Sequence, residues 1–314
     1  MDETTTIEWL LEGDPAVRWQ ALRDLCDAPD DLVARERARV AADGWGARLL
    51  ALQDPVGTWA QALYSPKWTS TTYTLLLLQQ LGLPADDPQA RAGCQALLDA
   101  ARWFDGGLNL FLTVAEPETC ITAMVVGLAA TFGTVDDRVT TARSWLCDQQ
   151  LEDGGWNGET IRSGSRHGSF RTTIQTLEAL QAWTQGVAQD ATVEEAARRG
   201  REFLAVHRLY RSHRTGEVVD KGLTRMVFPP GWHHDLLRGL DHFQAARAPA
   251  DPRLADAVAL LRSKRRRDGT WTTNAPYPGR HWFRLEQPGQ PSRINTLRAL
   301  RVLRWWSRPH DDSG

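Results

Sequence analysis

The segment ARSWLCDQQLEDGGW, Ala142 to Trp156, decides how this chain is read. It is a helix that runs into a Gly-x-Trp turn. Glycine ends a helix because it tolerates positive φ, and the indole that follows can cover the apolar end of the turn. Two further segments repeat the pattern: ARLLALQDPVGTW over 47–59 and AVALLRSKRRRDGTW over 257–271. A weaker copy, ARWFDGGLNLF over 101–111, lies between the first two at a period of roughly 48 residues. The fourth interval carries HRLYRSHRTGEV over 207–218, without the tryptophan.

After each turn comes a loop and then an apolar helix. These helices read KWTSTTYTLLLLQQLGL, ETCITAMVVGLAATFG, HGSFRTTIQTLEALQAW, WHHDLLRGLDHF and PSRINTLRALRVLRWW. All five open in clusters of Ser, Thr, His or Asp, and Ser, Thr and Asp cap the free backbone N–H groups of a helix start. The N-terminal segment GDPAVRWQALRDLCDAPDD adds a HEAT-like helix with Val17, Ala21, Leu22 and Leu25 on one face. Almost nothing reads as a strand. Helix pairs repeating at this period either stack into an open solenoid or close into a ring around one cavity.

The 314-residue chain is 42% hydrophobic and 24% charged, which fits an ordinary globular protein. A formal net charge of −2 gives no overall attraction to nucleic acid or to an anionic membrane. No apolar run approaches the roughly 20 residues that span a bilayer, and the acidic first twenty residues, broken by Gly and Pro, do not read as a signal peptide. Cys26, Cys94, Cys120 and Cys147 are widely spaced, without CxxC. A reduced cytoplasmic protein is expected, with no nucleic-acid partner and no transmembrane segment, and the sequence specifies no particular protein partner.

At Trp145 to Trp156 the pattern W-L-x3-Q-x3-G-G-W resembles the QW motif of squalene-hopene and related triterpene cyclases. Leu50, Gln53, Gly57 and Trp59 repeat it with shorter spacing, and Leu261 to Trp271 has Lys and Arg where the Gln belongs. The resemblance implies an all-α fold: an α/α toroid, or barrel of helical hairpins, over 46–308. The HEAT-like helical segment over 1–45 would pack on the barrel, and a disordered tail would follow at 309–314. Protein prenyltransferase β subunits share this architecture.

Both families imply chemistry at PETCITAM, Pro117 to Met124. Cyclases place a D-x-D-D-T-A acid motif at an inner-helix start. Aligning Thr122 and Ala123 with its T-A puts Glu118 on the first Asp, Cys120 on the central one and Ile121 on the last, and no D-x-D-D occurs in the chain. Prenyltransferase β subunits resemble F-x-G-G, a loop and D-x-C, and this chain reads FDGGLNLFLTVAEPETC over 104–120. That likeness implies zinc held by Glu118, Cys120 and a later histidine: His167, or His233 or His234. A carboxylate, a thiolate and an imidazole form a sound zinc donor set. The loop LNLFLTVA lacks the positive charge that holds a diphosphate in those enzymes, leaving Arg166, Arg208, Arg211 or Arg293 as anchors.

In PPGWHHDLLRGLDHF, Pro229 to Phe243, His234 and Asp235 either form an acid/base pair or are structural, with Asp235 capping the helix and one His packing on Trp232. His242 reads as structural. Trp68, Tyr73, Phe170, Trp232, His233 and Trp282, with Arg293, are the expected substrate-binding residues, their aromatic faces lining an apolar pocket. Lys264 to Arg267 read as a solvated helix end. Arg298, Arg301, Arg304 and Arg308 read as a wet face opposite Leu297, Leu300 and Leu303. The expectation is an enzyme acting on a hydrophobic, isoprenoid-like small molecule, with Glu118, Cys120, His234 and Asp235 as catalytic groups. The alternative is a non-catalytic toroid that binds a hydrophobic ligand or a protein partner.

Overall fold

The computed structural model describes residues 3–111 and 113–308; the tail expected over 309–314 lies outside them. The chain begins with α1 (Glu3–Leu11), α2 (Pro15–Asp24), α3 (Asp30–Ala42) and α4 (Gly44–Leu50). There follow α5 (Thr71–Leu81), α6 (Pro88–Ala100), the strand pair β1 (Arg102–Trp103) and β2 (Leu108–Asn109), α7 (Thr119–Phe132) and α8 (Asp137–Asp148). A single turn, α9 (Thr160–Ser163), precedes α10 (Phe170–Gly186), α11 (Ala191–Val206), α12 (Leu236–Ala245) and α13 (Ala255–Ser263). The last strand pair, β3 (Trp271–Thr272) and β4 (Pro291–Ser292), leads into α14 (Arg293–Trp306). Both two-residue ladders are antiparallel, Arg102 facing Asn109 and Trp271 facing Ser292.

Among the described residues the chain is all-α apart from these two ladders and a few isolated bridges, and its helices form an α/α toroid. Six inner helices stand side by side in the order α2, α5, α7, α10, α12, α14, and each junction has its own bond or close contact. Trp19 of α2 donates its indole N–H to the Leu81 carbonyl of α5 at 3.0 Å. Gln79 of α5 donates to Thr131 of α7 at 2.6 Å. Gly127 of α7 lies so near α10 that an added Cβ would be 3.1 Å from the Ala179 Cα. Arg238 of α12 holds Glu178 of α10, and Asp241 of α12 holds Arg298 and Arg301 of α14. Arg301 also reaches Gln20 and Asp24 of α2, which closes the ring. The N-terminal hairpin α2–α3 is thus a stave of the ring, standing between α14 and α5. Helices α6, α8, α11 and α13 form the outer layer.

The Gly-x-Trp turns are copies of one structure. Trp59, Trp156 and Trp271 are fully buried, and each donates its indole N–H back to a carbonyl of the preceding helix: Leu49 at 2.8 Å, Leu146 at 2.7 Å and Leu261 at 2.8 Å. The same tryptophans donate their backbone N–H to Thr71, Thr173 and Thr296 of an inner helix, each at 3.0 Å. Gly57, Gly154 and Gly269 adopt φ of +83, +85 and +86°, where a Cβ would be strained. The glutamine of the motif ties the turn to the next outer helix: Gln53 donates to Gly57 O and Gln89 O, and Gln150 to Gly154 O and Ala196 O. In the third copy Arg265, expected only as part of a solvated helix end, donates its Nε–H to Gly269 O at 3.1 Å and lies over the Trp271 ring.

Most inner-helix starts are capped as their composition predicts. Asp14, Glu118, Ser169, Asp235 and Ser292 accept hydrogen bonds from the first-turn N–H groups of α2, α7, α10, α12 and α14. The C termini of α5 and α7 end on Gly82 and Gly133 in the left-handed region. Among the described residues no helix is long and apolar enough to cross a membrane.

Candidate functional site

An aromatic cavity of about 230 Å³ lies at the end of the ring where the inner helices begin. Three loops and the α5 face enclose it: the loop before α5, the Phe228–Gly231 stretch before α12, and the long connection from β3 to β4. Trp68, Tyr73, Phe228, His281, Trp282 and Phe283 supply its aromatic wall, and Leu76, Leu77 and Leu285 supply aliphatic surface.

Trp68 organises this wall. It has φ of +73°, a conformation that costs a bulky residue energy, and its surroundings hold it there. Its indole N–H donates to Pro278 O at 2.8 Å. Its ring packs edge-on to Tyr73 at 4.9 Å and parallel to His281 at 5.9 Å. Gly231 and Gly279 make room for it, since a Cβ at either would lie 2.2 or 2.6 Å from the indole. Trp282 is fixed by its N–H donating to Thr74 Oγ1 at 3.1 Å. These bonds leave the ring faces pre-positioned, as binding an apolar ligand without reordering requires.

His233 stacks between Trp232, at 4.0 Å, and Tyr277, at 3.4 Å. Burial, with the Arg171 charge, lowers its pKa to about 4, so it is neutral at pH 7. Trp232 carries Lys67 and Arg171 over its ring at 4.7 and 5.0 Å. Behind this group Arg238, 3% exposed, makes a bidentate pair with Glu178 at 2.8 and 2.6 Å and donates to Gly231 O, His233 O and Gln175 Oε1. One guanidinium therefore pins the Gly231–His233 loop to α10, a geometry that suits the rigid fork of Arg.

Several residues expected at the site are elsewhere or otherwise engaged. Phe170 packs against Phe203, His207 and His234, and Arg293 donates to Trp9 O at 2.9 Å with its guanidinium over the Trp9 ring; neither lines the cavity, and Trp232 and His233, expected there too, stack on each other outside its wall. His234 and Asp235 do not form an acid/base pair. His234 Nε2 is 2.9 Å from Leu209 O, a contact that requires the proton on that nitrogen, while its ring stacks on Phe170. Asp235 accepts from the N–H groups of Arg238 and Val227 as the cap of α12.

The zinc expectation does not fit the donor geometry. The His167 side chain is 91% exposed and 3.9 Å from Asp153. Among the described residues no three His, Cys, Asp or Glu side chains form a group that could hold a metal ion. Burial, reinforced by Glu118, pushes the Cys120 thiol well above its usual range, so it rests as the neutral thiol.

Glu118 and Cys120 do lie together, beside a pair of buried phenols. Tyr73 donates to Tyr64 Oη at 2.9 Å, and both phenols are shifted upward, first by burial and in part by the nearby Glu118 and Cys120. The Glu118 residue is partly open, yet burial of its carboxyl raises its pKa above 4.5 despite the N–H of Ile121 at 2.6 Å. Of this group only Tyr73 lines the aromatic cavity.

A second cavity, of about 150 Å³, lies along the ring axis between α2, α5, α10, α12 and α14. It shares Gln80 and Phe228 with the aromatic cavity. Its lining is charged: Glu178, Arg238, Asp241, His242, Arg298 and Arg301. Arg298 and Arg301, expected on a wet outer face, instead point inward onto Asp241. Burial pushes the Asp241 carboxyl up, but Arg301 and Arg298 outweigh it and hold the pKa below the usual value.

No known protein family matches the sequence, and no curated protein matches it. Solved structures similar to it include type II terpene cyclase MstE from Scytonema. An arginine-to-alanine variant of that protein in complex with geranylgeranyl dihydroxybenzoate (substrate) is 15% identical, with a TM-score of 0.47, over 96% of this chain and 95% of that one. The apo MstE structure is 13% identical with a TM-score of 0.33, over 86% and 97% of the two chains. An aspartate-to-alanine variant in complex with merosterolic acid A (product) is 16% identical with a TM-score of 0.34, over 86% and 96%.

Proposed function

We propose that the chain is a small-molecule enzyme of terpene cyclase- and prenyltransferase-like type, and that its substrate is a hydrophobic, isoprenoid-like molecule held in the aromatic cavity. The observation that carries this reading is the wall built by Trp68, Tyr73 and Trp282, whose rings are fixed by hydrogen bonds and ring contacts, together with Phe228. Such faces bind polyene carbon and attract a cation through their π electrons.

The acid in this reading is Glu118. Burial favours the protonated form of its carboxyl, as general acids are tuned; Glu286, in the cavity wall, is raised in the same direction, but its oxygens accept from Ser292 Oγ and from the N–H groups of Arg293 and Ile294. The proton adds to a carbon–carbon double bond, and a proton lost later from the carbocation restores the carboxylate to its acid form. Cys120 remains in this reading a buried neighbour of the acid.

The alternative is a non-catalytic toroid that binds a hydrophobic ligand. It is favoured by the capping bond of Glu118 and by the position of that side chain outside the cavity lining. One experiment separates the readings. Tryptophan fluorescence is titrated with farnesol, and the same mixtures are incubated and analysed by mass spectrometry for isomers of the alcohol. Enzyme activity predicts saturable quenching in both wild type and Glu118→Gln, with isomer formed only by wild type. Saturable quenching without isomer from either protein refutes catalysis on this alcohol and leaves the binder. No quenching refutes both.

A further inference from the structure

The axial cavity holds polar groups that the fold itself leaves unsatisfied. Arg298 is 6% exposed; its Nε–H donates to Asp241 Oδ2 at 3.0 Å, yet its Nη1 has no partner among the described residues. His242 is 4% exposed, and neither ring nitrogen has a partner among them. Gln80, which also lines the aromatic cavity, has an unpartnered Oε1. Buried polar atoms are nearly always hydrogen-bonded, because each orphan costs about 1–3 kcal/mol. Two such side chains, Arg298 of α14 and His242 of the neighbouring α12, in the wall of one cavity, indicate a place where something else supplies the partners.

The charges specify what that is. Three guanidinium groups, Arg238, Arg298 and Arg301, line the cavity with two carboxylates, Glu178 and Asp241. Arg238 is fully occupied by Glu178 and its carbonyl partners. Both Asp241 oxygens accept from Arg301, which has Asp24 in addition, and Arg298 shares only Oδ2. Arg298 also feels the charge of buried Asp235, the cap of α12, yet it bonds one shared carboxylate oxygen and keeps an unused N–H. A guanidinium in that state favours a second carboxylate. At about 150 Å³ the cavity has room for such a group and a few waters, each of which takes roughly 30 Å³.

We propose that the axial cavity is a carboxylate site: it receives the acid group of an amphipathic substrate whose apolar body lies in the aromatic cavity. Arg298 Nη1 and a protonated nitrogen of His242 donate to the carboxylate, and Phe228 and Gln80 form the neck between the two halves. The inference rests on the hydrophobic-ligand reading above and narrows its substrate class to isoprenoid-like acids.

The test compares farnesoic acid with farnesol by fluorescence titration at pH 8, where the acid is ionised. The expected result is at least tenfold tighter binding of the acid, equivalent to about 1.4 kcal/mol. Arg298→Gln is expected to remove that preference without altering farnesol affinity. Asp241 keeps Arg301 in this variant, and thermal melting checks that the fold persists. His242→Leu is a second variant, expected to weaken acid binding alone by about threefold. Equal affinity of wild type for acid and alcohol overturns the carboxylate site and leaves the hydrophobic cavity standing. An acid preference that survives Arg298→Gln also overturns it. Failure of both ligands to bind overturns the hydrophobic reading itself.

Discussion

Asp241→Asn tests the electrostatic account of the ring. The Asp241 carboxylate bonds Arg298 Nε at 3.0 Å, and Arg301 Nε and Nη2 at 2.5 and 2.6 Å. Neutralising it leaves Arg298 without a bonded carboxylate, with only the charge of Asp235 near it, and leaves Arg301 with Asp24 alone. Removing one member of a buried ion pair costs about 3–5 kcal/mol, because the remaining charge stays desolvated. The predicted loss is in that range, measured by urea unfolding with an unchanged slope. Asp241→Asn/Arg298→Met should recover part of the loss, since the second change removes the stranded charge. The sign with pH follows from the lowered folded pKa. Asp241 contributes its stability above the unfolded value near 3.8, and the contribution fades as pH falls through the lower folded value. A loss below about 1 kcal/mol in Asp241→Asn, or a double variant less stable than the single, would refute the claim that these charges are buried and mutually dependent.

Trp156→Ala removes a fully buried indole and its 2.7 Å bond to Leu146 O, and should cost about 3–5 kcal/mol in chemical denaturation, with Trp59→Ala and Trp271→Ala alike. Glu118 has a raised folded pKa, so it favours the folded state below about 4.5 and that contribution disappears as pH rises through the folded value. Glu118→Gln should therefore lack this decline in urea midpoint with rising pH, and an unaltered pH profile would contradict it. In the native protein iodoacetamide at pH 8 should modify exposed Cys26 well before Cys120 or Cys94, as read by peptide mass mapping. Gly127→Val would force α7 from Ala179 of α10, and a fall in melting temperature checks it.

The repeat was legible because its determinants are local. Glycine, tryptophan and the preceding helix lie within about a dozen residues of each other, and each indole returns its bond to a carbonyl in that same stretch. The capping roles of Asp14, Ser169, Asp235 and Ser292 are local in the same sense. The interior of the ring was not legible. Arg298 and Arg301 fall at helical spacing opposite leucines, the pattern of a solvated face, but their partner Asp241 lies on another helix. A single sequence cannot distinguish water outside a barrel from a polar lumen within it. Trp68, Tyr73 and Trp282 were placed in the cavity by their positions in loops and at inner-helix starts, and that sufficed. Phe170 and Arg293 satisfied the same criterion and turned away, because side-chain direction there is set by neighbours distant in sequence. His281, Phe228 and Gln80 carried no sequence signal beyond the Pro–Gly loops around the first two.

Closure of the ring by α2 also constrains the timing of folding. Gln20 and Arg301 meet at the seam, yet the ribosome emits them far apart, with roughly 15–60 s between them at about 5–20 residues per second. Throughout that interval α2 has its α5 neighbour but lacks α14, so Gln20 and Asp24 on the seam of the first stave wait for the arginine that will bind them. The ring cannot close until the last inner helix has been made, and until then α2 is placed by its contacts with α3 and α5.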